Sequence, residues 1–151
     1  MNYRNRSGFT LAEILVVLAV ISLLIGLLTS GGIAAKRQAK IFQTRTLIAS
    51  LEAALDMYHV DFGAYPSDVN QQLWVNLLAD SSTYAVNNDW KGPYISFDDN
   101  QLSGSLPNAT VIDAWSNGCH YALDTVPPYR IWSDGTDGVD NSGAGDDITS
   151  W

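Results

Sequence analysis

Five aspartates, Asp134, Asp137, Asp140, Asp146 and Asp147, crowd into a short stretch near the C-terminus that also holds four glycines and no basic residue. Carboxylates packed that closely repel one another, and each addition makes closing the loop costlier unless a counter-ion enters. A hard dication such as calcium accepts about six to eight oxygens, and glycines let backbone carbonyls turn toward it. The spacing does not match an EF-hand. The residues alone leave two readings open, a calcium loop over residues 134–147 or a solvated acidic tail.

Glu13 poses the opposite problem, because it is the one charged residue between Phe9 and Leu28. At about 1.5 Å per residue that apolar run is long enough to cross a hydrocarbon layer ~30 Å thick. A charge costs about 2.5–3.5 kcal/mol at the centre of such a helix and less toward its ends. If the chain is cut after Gly8, Phe9 becomes the amino terminus and Glu13 sits at the positive end of the helix dipole. It then has a mate. A carboxylate and an ammonium ~4 Å apart attract by about 4 kcal/mol at an effective dielectric of about 20, before desolvation is counted. Between two copies of the chain, such a pair sets register more than affinity. Two plainer readings leave Glu13 unexplained: a secretory signal cut near Thr29 to Gly32, and a simple membrane anchor. Arg4 and Arg6 precede the run while Lys36, Arg37, Lys40 and Arg45 follow it, so flanking charge alone does not set orientation.

Gly8 followed by FTLAE and a long apolar stretch resembles the class III leader of type IV pilins and pseudopilins. The resemblance implies a leader over residues 1–8 that stays cytoplasmic, cleavage between Gly8 and Phe9 by a prepilin peptidase, and methylation of the Phe9 amine. It also implies that Glu13 of a neighbouring copy recognises that amine. Further phrases, ALDMYHVDFGAYP (54–66), WKGPYI (90–95), DAW (113–115) and the closing DGTDG...GDDITSW, resemble one branch in particular, the major pseudopilin of type II secretion systems. That likeness implies a homopolymer, a helical pseudopilus that drives protein export. Its implied partners are the inner membrane, an inner-membrane assembly platform with its ATPase, and minor pseudopilins, with the C-terminal domain periplasmic. It further implies a calcium ion held by the side chains of Asp137, Asp146 and Asp147, with the Asp134 carbonyl as an addition. Asp140 falls where the loop runs about two residues longer than the family pattern and is not carried over, and Ala114 stands where the family has proline.

These groups need a scaffold. No proline interrupts Phe9 to Tyr65, and Ile41, Ile48, Leu51, Leu55 and Tyr58 recur at helical steps. The pattern predicts one helix over 9–62, about 80 Å long, with 9–28 in the membrane and Gly63 as its stop. Gly26 and Gly31-Gly32 are weak points in it, or places for close helix packing. The remainder, 63–151, is one globular domain. A short helix within 70–80 presents Leu73, Trp74, Leu77 and Leu78 on one face. TVIDAW and CHYAL flank Asn117-Gly118, a type I′ hairpin signal, and YRIWS supplies a third strand. The predicted fold is α+β and pilin-like, a long N-terminal helix packed against a small antiparallel β-sheet.

Acidic residues outnumber basic ones 16 to 8, for a net charge of −8, which excludes a nucleic-acid surface. Cys119 is the single cysteine, so no internal disulfide can form and calcium would be the staple. The chain holds no phosphate loop, no H-E-x-x-H and no G-x-S-x-G. Cys119 and His120 alternate on a predicted strand and so point to opposite faces, and His59 reads as a packing residue. The chain is expected not to be an enzyme. Two alternatives to the pseudopilus remain, a surface type IV pilus subunit for adhesion or motility and a single-pass anchor carrying a binding domain.

Overall fold

The computed structural model describes residues 8–68, 71–79 and 90–151, except for the side chains of 27–31 and 71–73. Leader residues 1–7 lie outside the described residues. The chain divides into two compact units, Met1–Gln38 and Ala39–Trp151.

Helix α1, Leu11–Phe62, begins in the first unit and ends in the second. It starts two residues later than the apolar pattern predicts, and Thr10 is the reason. The Thr10 hydroxyl accepts from the Glu13 amide at 3.3 Å while Glu13 Oε2 accepts from the Thr10 amide at 2.8 Å. This reciprocal capping box satisfies two orphan donors and fixes the first turn. Helical backbone continues through Gly26 and Gly31-Gly32, and a Cβ added at Gly26 or Gly32 would meet nothing within 4 Å. Every large apolar side chain from Phe9 to Ile25 is exposed, Leu11 to 83%. Among the described residues no helix is long and apolar enough to cross a membrane; the predicted span runs on to Leu28, into residues whose side chains are not described.

In the second unit the stripe expected on α1 is the spine of the core. Thr44, Leu47, Ile48, Leu51, Ala54, Leu55 and Tyr58 are buried, at the steps of three and four that line one helical face. Each fully buried leucine here is worth about 1.5–3 kcal/mol relative to exposure. The helix ends as Gly63 takes φ +70 and its amide bonds the His59 carbonyl at 2.8 Å, a left-handed stop that glycine adopts without strain. Helix α2, Gln71–Ala79, buries Trp74, Val75, Leu77 and Leu78. Val75 lies beyond the predicted face because the core encloses more of this helix than one stripe. Trp90 Nε1 and the Tyr94 amide take up the carbonyls of Leu77 and Leu78 near its end.

Strands β1 (Leu102–Ser103) and β2 (Thr110–Val111) form an antiparallel pair, and β3 (Cys119–Leu123), β4 (Tyr129–Ser133) and β5 (Ile148–Thr149) form an antiparallel sheet in that order. Cys119 pairs with Ser133 and Leu123 with Tyr129. Tyr121, Ile131 and Ile148 point into the cluster that holds Leu51, Leu55 and Trp74. The predicted Asn117-Gly118 hairpin is corrected. A type I′ turn needs positive φ at both residues, but the residue with positive φ is Ser116, at 69°. Between β2 and β3 only the bridge Ile112↔Gly118 forms. The reversal is built instead on Asp113, whose Oδ1 accepts from the amides of Trp115 at 2.8 Å and Asn117 at 2.9 Å, an Asx turn that outcompetes the dipeptide preference.

Candidate functional site

The first unit carries the candidate processing and assembly residues. Gly8 and Phe9 are exposed, Phe9 to 80%, and nothing lies within 4 Å of a Cβ placed on Gly8. Glu13 Oε2 accepts from both the amide and the hydroxyl of Thr10, at 2.8 Å each. In a single chain, therefore, the carboxylate is already occupied by its own N-cap. Thr10 belongs to this site, and the signal for it was the T-x-x-E spacing ahead of an apolar run.

The acidic loop opens where β4 ends. The Asp113 carboxylate, 3% exposed, accepts from the Ser133 hydroxyl at 2.6 Å, and that oxygen in turn accepts from the Gly135 amide at 3.1 Å. Asn117 Nδ2 donates to the Gly135 carbonyl at 2.7 Å. The turn between β2 and β3 therefore holds the loop's first residues. A Cβ on Gly135 would stand 2.2 Å from the Asp146 carbonyl oxygen, so glycine is what lets the two ends of the loop touch.

Inside the loop most carboxylates are turned onto backbone amides. Asp146 Oδ2 accepts from the Thr136 and Asp137 amides at 2.8 and 3.0 Å and from the Thr136 hydroxyl. The Thr136 hydroxyl leads in holding the Asp146 carboxyl below its ordinary pKa. Asp137 Oδ1 accepts from the Val139 amide at 2.9 Å. Asp147 Oδ2 accepts from the amides of Asn141 and Gly143 at 3.1 and 2.8 Å, while its Oδ1 is buried with no partner among the described residues. A buried carboxylate oxygen without a donor costs about 1–3 kcal/mol or more, and a cation would relieve it. The donor set suits calcium, being carboxylates and carbonyls on a backbone where Gly135, Gly138, Gly143 and Gly145 all take positive φ.

The side chain of Asp134 leaves this group and meets His120 Nε2 at 2.7 Å, so of the four residues implied as ligands Asp137, Asp146 and Asp147 keep their carboxylates within the loop. Asp140 Oδ1 accepts from Trp132 Nε1 at 2.9 Å and the Ser142 amide at 2.8 Å, and the indole leads in lowering its pKa. Cys119 is buried and its thiol is pushed up, first by burial and then by the charges of Asp113 and Asp134. A nucleophilic thiolate needs the reverse.

Two family models match. Type II secretion system (T2SS), protein G, covers residues 33–151, and the prokaryotic N-terminal methylation motif covers residues 3–29. The chain belongs to the type II secretion system protein G family. Its relatives include the type II secretion system core protein G of Pseudomonas aeruginosa, 33% identical over 100% of this chain and 99% of that one. The core protein G of Escherichia coli is 35% identical over 97% of this chain and 92% of that one. The crystal structure of the major pseudopilin from the type 2 secretion system of enterohaemorrhagic Escherichia coli shares the fold, with a TM-score of 0.54 and 24% identity over 80% of this chain and 93% of that one. Family membership decides among the readings left open by the residues. The chain is a pseudopilus subunit of a type II secretion system. The family is one of structural subunits.

Proposed function

We propose that the chain is cut between Gly8 and Phe9 by a prepilin peptidase, methylated on the Phe9 amine, and held in the inner membrane by residues 9–28 with its second unit periplasmic. From there it polymerises through α1 into the pseudopilus, with the inner-membrane assembly platform, its ATPase and minor pseudopilins as partners. One observation carries this reading. The first stretch of α1 is apolar all round and bare, yet its one carboxylate, Glu13, sits in the first turn beside the future amino terminus. Such a helix belongs in lipid or among its own copies. Because both surroundings are equally apolar, transfer between them is nearly balanced and can be driven in either direction. In the polymer, Glu13 exchanges its own Thr10 cap for the Phe9 amine of a neighbour.

The loop over 134–147 takes calcium through the side chains of Asp137, Asp146 and Asp147, with the Asp134 carbonyl added. The unpartnered Asp147 Oδ1 supports this assignment. A bound ion does no chemistry here; it neutralises the loop and fixes its path over the β-sheet, the task a disulfide cannot perform with one cysteine.

Mass spectrometry of the mature protein from cells carrying the secretion system tests the whole reading. A chain beginning at methylated Phe9 is expected, together with filaments by electron microscopy. An intact Met1 in a non-polymerising membrane protein overturns it.

A further inference from the structure

His120 lies on β3, Asp134 opens the acidic loop directly after β4, and Asp140 stands farther along that loop. One ligand atom from each lies within 4.8 Å of the other two, and among the described residues this is the one group of His, Cys, Asp or Glu so arranged. Its geometry is built. The His120 ring stacks on Trp132 at a centroid distance of 5.4 Å and an interplanar angle of 18°. The same indole donates to Asp140 at 2.9 Å, so one tryptophan orients two of the three side chains. Asp134, 9% exposed, sets the third side of the site.

Gly118 helps to hold two of these side chains in place. A Cβ there would lie 3.0 Å from Asp134 Oδ2 and 3.3 Å from His120 Nε2, while Gly118 is absent from the glycines with positive φ. The backbone does not demand glycine at this position. What glycine supplies is a close approach of the Asp134 carboxylate and the His120 ring over its own backbone. A plain His-Asp ion pair would not need Asp140 beside it.

We propose that His120, Asp134 and Asp140 form a second metal site, for a borderline divalent cation of the zinc kind, which shares the acidic loop with the calcium ligands but uses other side chains. The imidazole decides the class: calcium prefers oxygen alone, whereas zinc, cobalt and nickel take one nitrogen with carboxylates readily. A tetrahedral ion with bonds of ~2.0 Å holds its donors ~3.3 Å apart. Binding therefore draws in Asp140, the exposed member, and replaces the His120 to Asp134 hydrogen bond with two bonds to metal. The fourth position is left to water or to a group from another molecule. The site ties β3, the end of β4 and the loop together, and none of its three side chains is one of the carboxylates assigned to calcium.

The test uses the full chain in detergent, with millimolar calcium present throughout so that a calcium site is saturated. Zinc titrated by calorimetry is expected to bind at one equivalent per chain, and cobalt(II) is expected to give visible absorption of a tetrahedral centre that zinc displaces. His120→Asn and Asp140→Asn should each weaken zinc by more than the about 10- to 100-fold typical of losing an outer-shell contact, with the calcium-dependent melting shift retained. His120 lies outside the acidic loop, so its variant keeps the test decisive if Asp140→Asn disturbs the loop itself. Gly118→Ala should weaken zinc as well. No binding below millimolar zinc, or zinc affinity unchanged in His120→Asn, overturns the site.

Discussion

Asp113 and Ser133 meet in a fully buried hydrogen bond of 2.6 Å that joins the turn after β2 to the last residue of β4. The same carboxylate accepts from the Trp115 and Asn117 amides, so one side chain terminates a hairpin and anchors the acidic loop. Asp113→Ala leaves one buried and two half-buried donors without their acceptor, and an unsatisfied buried donor costs about 1–3 kcal/mol. A loss of about 3 kcal/mol or more is expected in urea melts of the folded domain. Asp113→Asn keeps the Oδ1 acceptor but turns a donor toward Ser133, and should lose roughly half as much. Equal stability of Asp113→Ala and wild type would remove Asp113 from this role.

Glu13 has two roles that a pair of variants separates. Its carboxylate caps α1 through Thr10, and the assembly contact proposed for it is with the Phe9 amine of another copy. Glu13→Gln retains the capping box, which glutamine completes as well as glutamate, but carries no charge. If the intermolecular pair governs assembly, Glu13→Gln and Glu13→Ala should both leave few filaments by quantitative microscopy, with membrane insertion intact. If Glu13→Gln assembles like wild type, the cap and not the ion pair is what matters.

The α1 core stripe was legible in the sequence because helical periodicity is a local signal: Ile48, Leu51, Leu55 and Tyr58 are buried as their spacing requires. The helix start was missed by two residues because a polar cap at Thr10 overrides apolar continuity. The Asn117-Gly118 turn was misplaced because Asp113, four residues upstream of Asn117, supplied stronger local hydrogen bonds than the dipeptide preference. The acidic loop itself was legible from composition and family likeness, but the meeting of His120 with Asp134 and Asp140 was not. That contact depends on the Cys119↔Ser133 register of β3 and β4, which no local pattern encodes.

Calcium should raise the melting temperature of the purified chain, and chelator should lower it. A ligand at about 100 times its Kd adds about 2.7 kcal/mol, which for a domain of this size is a shift of several degrees. Asp147→Ala removes the carboxylate whose Oδ1 has no protein partner and is expected to abolish the shift. Asp140→Asn is expected to keep it. Superimposable curves with calcium and with chelator would eliminate the calcium loop.

Away from the acidic loop, Asp61 and Tyr94 couple α1 to the segment after α2, and their shifted titrations make opposite contributions at the acid and alkaline ends. Tyr94 donates to Asp61 Oδ2 at 2.8 Å and Lys91 lies 3.2 Å from Oδ1. The Tyr94 hydroxyl leads in lowering the Asp61 pKa, with Lys91 adding to it. A carboxylate whose folded pKa is depressed contributes stability that is complete above its ordinary value of 3.8 and is lost as pH falls through the lower folded value. Tyr94 shifts the other way, to about 12, first through burial and also through Asp61. Its contribution is complete below its ordinary value of 10.0 and fades as pH rises toward about 12. Tyr94→Phe should therefore flatten both limbs of a melting-temperature profile against pH, at constant calcium, whereas Lys91→Ala should affect mainly the acid limb. If Tyr94→Phe leaves the acid limb as steep as in wild type, the Tyr94 to Asp61 bond is not what holds that carboxylate ionised.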